Sequence, residues 1–336
     1  CLNSSSAPSD YSIIAIPKED DIIISNYIAN NSENRLTIEQ FGNDKETKQK
    51  IENENIWDFI SQFMANNSAQ FNFDSNDYDY ELLSRLPFIG GFIGFFSYEQ
   101  SQSLNNNTND IDNDVQSPDT KLIFVERSLV IDHKLNKIYI ISIANDDTSW
   151  INSLATLLTT NLGDDKQINN NNNIFSKDTK KIPSLKITHP DKTDYLNQFD
   201  QCQNYLKNGD SYELCLTNQI EIETSNKSTA KWEVFKKLSQ MNPSPYSVYF
   251  NFDNDCTLIS SSPERFLKWN NFDKVNKLCQ LRPIKGTVKK TNSLTKQQVY
   301  EILNSPKEKG ENLMIVDLIR HDLYSMLKRV NVVKLM

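Results

Sequence analysis

One lysine, Lys285, has neighbours that could make it a catalytic nucleophile. It lies between Pro283, which restricts the backbone, and Gly286, which loosens it. An amine becomes reactive when burial or a neighbouring charge lowers its pKa. The opposing interpretation is an ordinary loop lysine in solvent, and the local pattern alone does not separate the two.

Two carboxylates accompany this lysine in the second half of the chain. Glu264 follows a run of serines at a strand junction, where it could act in proton transfer or simply pair with Arg265. At helical spacing Glu311 shares a face with Ile315 and Leu318, and a carboxylate on an apolar face requires a cation, a metal or a proton. Mg²⁺ is the metal that suits a site with few carboxylates, because it keeps several of its own water ligands. The alternative for Glu311 is a first-turn glutamate stabilised by the helix dipole.

Local patterns predict the elements that position these three residues. Strands at Arg265–Trp269 and Val275–Leu281 predict a hairpin that ends just before Lys285. Ser305, Pro306 and Glu308 predict the N-terminus of a last helix. Its predicted core stripe comprises Leu313, Val316, Ile319, Leu323 and Leu327. A helix is also expected at Leu294–Leu303.

The rest of the chain mixes strands and helices without repeated βαβ units. Helices are expected at Asn55–Met64, Ser153–Leu162, Asp191–Asn208 and Ala230–Met241. Strands are expected at Tyr11–Ile16, Asp21–Ile24, Leu122–Ile131, Lys137–Ile143, Glu213–Glu223, Tyr246–Phe252, Cys256–Ser261 and at the end, Val330–Met336. The glycine-rich segment Leu86–Tyr98 predicts close approach of another backbone or a ligand. This pattern predicts an α+β fold of mainly antiparallel sheets flanked by helices.

An asparagine-rich polar stretch suggests how the chain is divided. We predict a first region at 1–165, a linker at 166–185 and a second region at 186–336. The abrupt apolar ending indicates a fragment. A rival interpretation treats Cys1 and the serines after it as the start of a lipoprotein.

Composition excludes several functions. The net charge of −8 disfavours nucleic acid as a partner, since phosphate binding needs clustered Lys and Arg. No apolar stretch is long enough to span a membrane. The five cysteines and three histidines lack metal-site spacing, so we expect reduced thiols and a cytoplasmic location.

Four segments in this order and spacing resemble the chorismate-utilising enzymes. They are Gly209–Thr217, Ser261–Phe266, Pro283–Thr287 and Glu311–Asp322. The first half agrees at Leu2–Ser5, Pro87–Glu99 and Pro118–His133. The family contains aminodeoxychorismate synthase component I, anthranilate synthase component I, isochorismate synthase and salicylate synthase. The resemblance implies two intertwined subdomains of the anthranilate synthase component I type.

Within this family the residue at 285 discriminates between branches. Anthranilate-type members resemble Pro-Ile-Ala-Gly-Thr here, whereas aminodeoxychorismate synthases resemble Pro-Ile-Lys-Gly-Thr. The resemblance therefore implies that Lys285 attacks ring C2 of chorismate and expels the 4-hydroxyl. Glu264 would shuttle the proton, and ammonia would then displace the lysine to give 4-amino-4-deoxychorismate, the precursor of 4-aminobenzoate and folate.

The same resemblance implies a metal, a partner and a second ligand. Glu311 would hold Mg²⁺, and Gly286 and Thr287 would contact the substrate. Ammonia would come from a glutamine amidotransferase, fused or separate. Tryptophan would lie between the serines near the N-terminus and an Asn-Pro-x-Pro-Tyr loop, on the residues Ser4, Ser5, Asn242, Pro243 and Tyr246. Packing alone explains those residues equally well.

Two alternatives and one departure stay open. The chain could be an anthranilate synthase component I, or an inactive remnant that only binds an amidotransferase. His321 stands where the family usually has asparagine. Because the family continues well beyond the end of this sequence, we expect the chain by itself to be inactive and the intact protein to be active.

Overall fold

A computed structural model describes most of the 336-residue chain. The described residues are 2–3, 10–28, 34–40, 49–52, 55–67, 80–98, 100, 118–163, 185–224, 231–252, 256–271, 277–289, 291, 293–327 and 329–333. The predicted linker at 166–185 therefore lies outside them except for its last residue.

The strands, in chain order, are β1 Leu2–Asn3, β2 Tyr11–Ala15, β3 Ile22–Ile28, β4 Asn34–Gln40, β5 Gln49–Glu52, β6 Gly91–Phe96, β7 Thr120–Val125, β8 Arg127–Asp132, β9 Lys137–Ser142, β10 Leu185–Thr188, β11 Glu221–Thr224, β12 Tyr246–Phe252, β13 Cys256–Ser262, β14 Arg265–Asn271 and β15 Lys277–Arg282. The helices are α1 Ile56–Asn66, α2 Tyr80–Arg85, α3 Thr148–Gly163, α4 Lys192–Asn208, α5 Lys231–Met241, α6 Lys296–Leu303 and α7 Pro306–Met326.

Two sheets form the centre of the fold. One has six strands in the order β13-β12-β1-β2-β8-β9, and the other has five in the order β5-β4-β3-β7-β6. Two further ribbons, β10-β11 and β14-β15, have two strands each. The described strand pairs are antiparallel, which confirms the predicted α+β class.

The apolar core lies on both faces of the five-stranded sheet. Ile23, Ile123 and Val125 pack with Phe252 of the six-stranded sheet on one face. Ile24, Leu36 and Leu122 pack with Ile56 of α1 on the other. Apolar residues at helical spacing predict the inward face of α1, and the side chain of Asn55 caps its first turn at 2.8 Å from Trp57 N.

The prediction of one long strand at Leu122–Ile131 is wrong. Two strands occupy this segment, because β7 pairs with β3 in one sheet and β8 pairs with β2 in the other. The chain changes sheets at Glu126. Both segments are apolar, so their pattern gives no sign of where the crossing occurs.

The glycines of β6 bring two backbones together, as predicted. A Cβ atom on Gly94 would overlap the carbonyl oxygen of Lys121 in the neighbouring strand. At this position the glycine therefore allows close approach of a neighbouring backbone, which is one of the two predicted possibilities.

The chain forms two compact units, one comprising 1–163 and 234–336 and the other 164–233. The predicted regions 1–165 and 186–336 stay a prediction. Within the second unit α4 forms as predicted: Asp191 caps its first turn, and Gly209 ends it with a left-handed φ of 78°. The strand predicted at Glu213–Glu223 is mostly wrong, since only β11, which starts at Glu221, forms there.

Predictions near the C-terminus are confirmed for both hairpins, for α6 and for the start of α7, and two others are wrong. The hairpins β12-β13 and β14-β15 form, and Ser305 and Pro306 begin α7. The predicted core stripe of α7 is not buried, and Leu313 is exposed. No strand forms over 329–333. Among the described residues, no helix is both long and apolar enough to cross a membrane.

Candidate active site

The β14-β15 hairpin brings Glu264 to the loop that carries Lys285. Arg265 pairs with Arg282 in the ladder, so the residue before one strand faces the segment after the other. Glu264 Oε1 accepts a hydrogen bond from Ile284 N at 3.4 Å. The guanidinium of Arg265 donates to Gln280 at 3.2 Å, and no ion pair with Glu264 is found among the described residues.

The backbone turns sharply beside the lysine. Gly286 has a φ of 80°, in the left-handed region that favours glycine. A Cβ at this position would lie 2.7 Å from Glu308 Oε2 and 3.3 Å from Leu303 Cδ2. Gly286 therefore lets the loop approach the end of α6 and the first turn of α7.

Helix capping sets where α6 and α7 begin and end at this site. Thr295 and Gln298 form a capping box at the start of α6, which ends at Asn304. Ser305 Oγ then accepts a hydrogen bond from Glu308 N at 3.4 Å and starts α7. These short-range rules place the acidic first turns of α7 next to the lysine loop.

Lys285 and Glu311 face each other across this arrangement. Their Nζ and Oε1 atoms are 3.9 Å apart, and their side chains are 25% and 42% exposed. The structure thus brings together three predicted residues, Glu264, Lys285 and Glu311, from separate segments. It places Thr287 in the same loop with an exposed side chain.

Glu308 is a site residue that sequence reasoning assigned only to helix capping. It lies three residues before Glu311, and residues at this spacing share a helix face. Its contact with Gly286 places a second carboxylate beside the lysine loop. The three-residue spacing between Glu308 and Glu311 could have indicated that both carboxylates lie on the same face of α7. The helix-capping pattern accounted for Glu308 without this second role.

The carboxylates of Glu308 and Glu311 suit Mg²⁺ as two of the ligands in its coordination shell. No group of three or more Asp, Glu, His or Cys side chains that could enclose a metal is found in the described part of the chain. Mg²⁺ keeps several waters and takes one or two carboxylates together with substrate oxygens. Glu311, with Glu308 one turn earlier, could supply those carboxylates.

The predicted tryptophan site is only half described. Ser4 and Ser5 lie outside the described residues, but β1, which precedes them, pairs with β12, and Asn3 is opposite Ser247. The Asn242 carbonyl accepts a hydrogen bond from Ser261 Oγ at 2.5 Å. The loop containing Pro243 thus joins the strand that pairs with the N-terminal segment, and tryptophan binding stays a prediction.

Known proteins resemble this chain along most of its length. Aminodeoxychorismate synthase of Saccharomyces cerevisiae is 40% identical over 261 residues, which is 75% of this chain and 32% of that protein. Aminodeoxychorismate synthase component 1 of Escherichia coli is 28% identical over 71% of this chain and 48% of its own length. This chain thus spans between a third and a half of these relatives.

A solved structure supports the fold assignment. Anthranilate synthase component I from Streptococcus pneumoniae matches 94% of this chain and 62% of its own, with a TM-score of 0.61 and 22% identity. That likeness shows the fold, which agrees with the predicted architecture. A family model described as chorismate binding enzyme matches residues 25–336, and the chain therefore belongs to the chorismate-binding enzyme family.

Proposed function

We propose that the intact protein is an aminodeoxychorismate synthase, which converts chorismate and ammonia to 4-amino-4-deoxychorismate. The observation that carries this proposal is a lysine, not an alanine, at 285, with its amine 3.9 Å from Glu311. The names of the yeast and E. coli relatives support the same activity.

Lys285 would act as a temporary nucleophile. Its neutral amine attacks C2 of the chorismate ring, the double bonds shift and the bond from C4 to the hydroxyl breaks. Glu264 takes the proton that the amine loses and delivers it to the departing hydroxyl, which leaves as water. Ammonia then adds at C4, the double bonds shift back and the bond between C2 and the lysine breaks. The lysine nitrogen takes up the proton that the ammonia nitrogen loses, which restores the amine. Covalent participation divides one difficult substitution into two easier ones.

The loop geometry supports these roles. Pro283 restricts the backbone before the lysine, and the left-handed φ of Gly286 turns it sharply just after. Glu264 is oriented by the hairpin and by its hydrogen bond from Ile284 N. The Glu264 carboxylate is therefore held against the backbone of the residue that precedes the lysine.

We also propose that Glu311, supported by Glu308, binds Mg²⁺ when chorismate is present. The metal would neutralise a substrate carboxylate and help to orient the ring. The Glu311 carboxylate also lies 3.9 Å from the Lys285 amine.

A partner would supply the ammonia. The E. coli relative is named component 1, which indicates a second component in that system. We propose a glutamine amidotransferase, fused to the intact protein or separate. We also propose a cytoplasmic location, where cysteines stay reduced.

The substitution Lys285→Ala in the intact protein tests the mechanism. We expect it to reduce formation of 4-amino-4-deoxychorismate from chorismate, ammonia and Mg²⁺ by at least roughly 10³-fold, comparable to the loss of a principal catalytic group. The product is measured as 4-aminobenzoate after addition of the lyase. Lys289→Ala, four residues along the same segment and exposed, is the matched control and should retain activity.

Product analysis separates the rival functions. Unchanged production by Lys285→Ala would mean that the covalent assignment is wrong. Direct formation of anthranilate by the unmodified protein would instead identify an anthranilate synthase. Capture of an active glutaminase without any chorismate turnover would identify a binding subunit.

A further inference from the structure

Two chain crossings between the sheets lie side by side in the first unit. The chain passes from β2 to β3 through Lys18 and from β7 to β8 at Glu126. Ile16 N donates to Arg127 O at 2.9 Å, and Ile143 N donates to Glu126 O at 3.0 Å. The first of these backbone hydrogen bonds joins the two crossings directly, and the second ties the β7-β8 crossing to the residue after β9.

Charged side chains link the first crossing to the second. Lys18 N donates to Asp21 Oδ2 at 3.0 Å, and the Lys18 ammonium forms an ion pair with Glu126. Asp21 immediately precedes β3 and is only 3% exposed. One lysine thus contacts a carboxylate from each of the two crossings.

A second ion pair extends this group to α3. Arg127 Nε and Nη2 donate to the Asp147 carboxylate at 2.8 and 2.5 Å, and Ser142 Oγ donates to it at 2.5 Å. The Arg127 guanidinium also lies 4.8 Å from the centre of the Trp150 ring. These contacts hold the Arg127 guanidinium against the Asp147 carboxylate, and its charge also acts on Asp21 and Glu126.

The five residues Lys18, Asp21, Glu126, Arg127 and Asp147, here called the crossover cluster, contain more acid than base. Three carboxylates share two cations in a largely buried setting. A surplus buried negative charge is costly unless it is protonated. The pKa of Asp21 is raised from its ordinary 3.8 to about 6, chiefly by burial. The negative charge of Glu126 acts in the same direction, and the backbone hydrogen bond from Lys18 and the charges of Lys18 and Arg127 oppose the rise.

We propose that the crossover cluster is a proton-dependent clasp between the two sheets, in which Asp21 carries a proton in its most stable form. With Asp21 protonated, the two cations match the two remaining carboxylates. When Asp21 ionises, it adds an unmatched charge next to Glu126, at the point where both crossings meet.

The direction of the pH effect follows from the sign of the shift. Asp21 binds its proton more tightly in the folded state, so its stabilising contribution is complete below pH 3.8 and is lost as the pH rises through about 6. Asp147 acts in the opposite sense, since its hydrogen bond from Arg127 lowers its pKa and its contribution is lost as the pH falls. The two groups make the cluster most stable in mildly acidic solution.

Comparison of the protein with Asp21→Asn tests the proposal. The folding equilibrium constant of the unmodified protein, divided by that of the variant, should fall roughly a hundredfold between pH 3.5 and pH 8, because two pKa units correspond to two powers of ten. Urea unfolding at each pH gives both constants. Asp146→Asn is the matched control, since it removes an exposed carboxylate near Asp147 and asparagine tolerates its φ of 56°. The folding equilibrium constant of the unmodified protein, divided by that of Asp146→Asn, should not fall in this way between pH 3.5 and pH 8.

A direct titration makes the test independent of variant folding. Carbon-13 NMR of aspartate carboxyl groups in the folded protein should show one signal with a midpoint near 6, and that signal should be absent from Asp21→Asn. A midpoint near 3.8 for Asp21, or a ratio that does not change with pH, would overturn the proposal.

Discussion

The two central sheets and the lysine-bearing segment are built on different principles. The buried apolar side chains of the described residues fall between Ile23 and Phe252, and none occurs in the described part beyond 252. The segment that carries Glu264, Lys285 and Glu311 keeps large apolar side chains in solvent, including Phe266, which is 80% exposed. The sheets derive stability from burial, whereas the site derives its geometry from a hairpin, a glycine and two helix caps.

This difference indicates that the geometry around Lys285 is specified by local features rather than by burial. The ladder of β14 and β15 and the cap at Ser305 act over a few residues each. A two-stranded ribbon alone is marginally stable in water, so a local arrangement of this kind needs further packing to become rigid. Substitutions of similar chemistry should therefore have unequal effects in the two regions.

The largest contrast should come from leucine truncation. Leu36 is fully buried against Ile24 and Leu122, so Leu36→Ala should reduce the free energy of unfolding by roughly 3 to 4 kcal/mol. Leu313→Ala, at an exposed position of α7, should change it by less than about 0.5 kcal/mol. Urea unfolding followed by circular dichroism measures both. Equal losses would break the contrast between the regions.

Glycine substitution in β6 should have the next largest effect. Gly94→Ala would push a methyl group into the Lys121 carbonyl, and the ladder between β6 and β7 restricts backbone relief, so we expect a loss of about 2 to 3 kcal/mol. Phe96 is the last residue of β6, and its ring stacks on Trp57 with 4.9 Å between the ring centres. The fluorescence of Trp57 therefore reports on this strand. A protein as stable as the original would show that the two backbones can separate without cost.

The smallest effect should have the opposite sign. Gly310 lies inside α7, and a Cβ there would meet nothing within 4 Å. Gly310→Ala should therefore stabilise the protein by about 1 kcal/mol through helix propensity. Thermal unfolding should show a small rise in midpoint without a change in activity. A loss of activity with unchanged stability would mean that α7 must flex at this glycine.

Local signals explain most of what the sequence predicted correctly. Asp191 and Gly209 bounded α4, and Ser305 with Pro306 began α7, because caps depend on near neighbours. The change of sheet at Glu126 and the short strands β10 and β11 depend on distant partners, which no periodicity reveals. Glu308 was missed as a site residue because its contact is with Gly286, 22 positions earlier in the chain.

The pairing of β1 with β12 has a consequence for synthesis of the chain. Leu2 and Asn3 lie opposite Val248 and Ser247, so the six-stranded sheet joins segments that are almost 250 residues apart. At about 5 to 20 residues per second, the ribosome needs at least 12 seconds or so to deliver β12 after β1. During this interval the first strands cannot complete their sheet and expose an unpaired edge. The early part of the nascent chain is therefore where we expect chaperones to act.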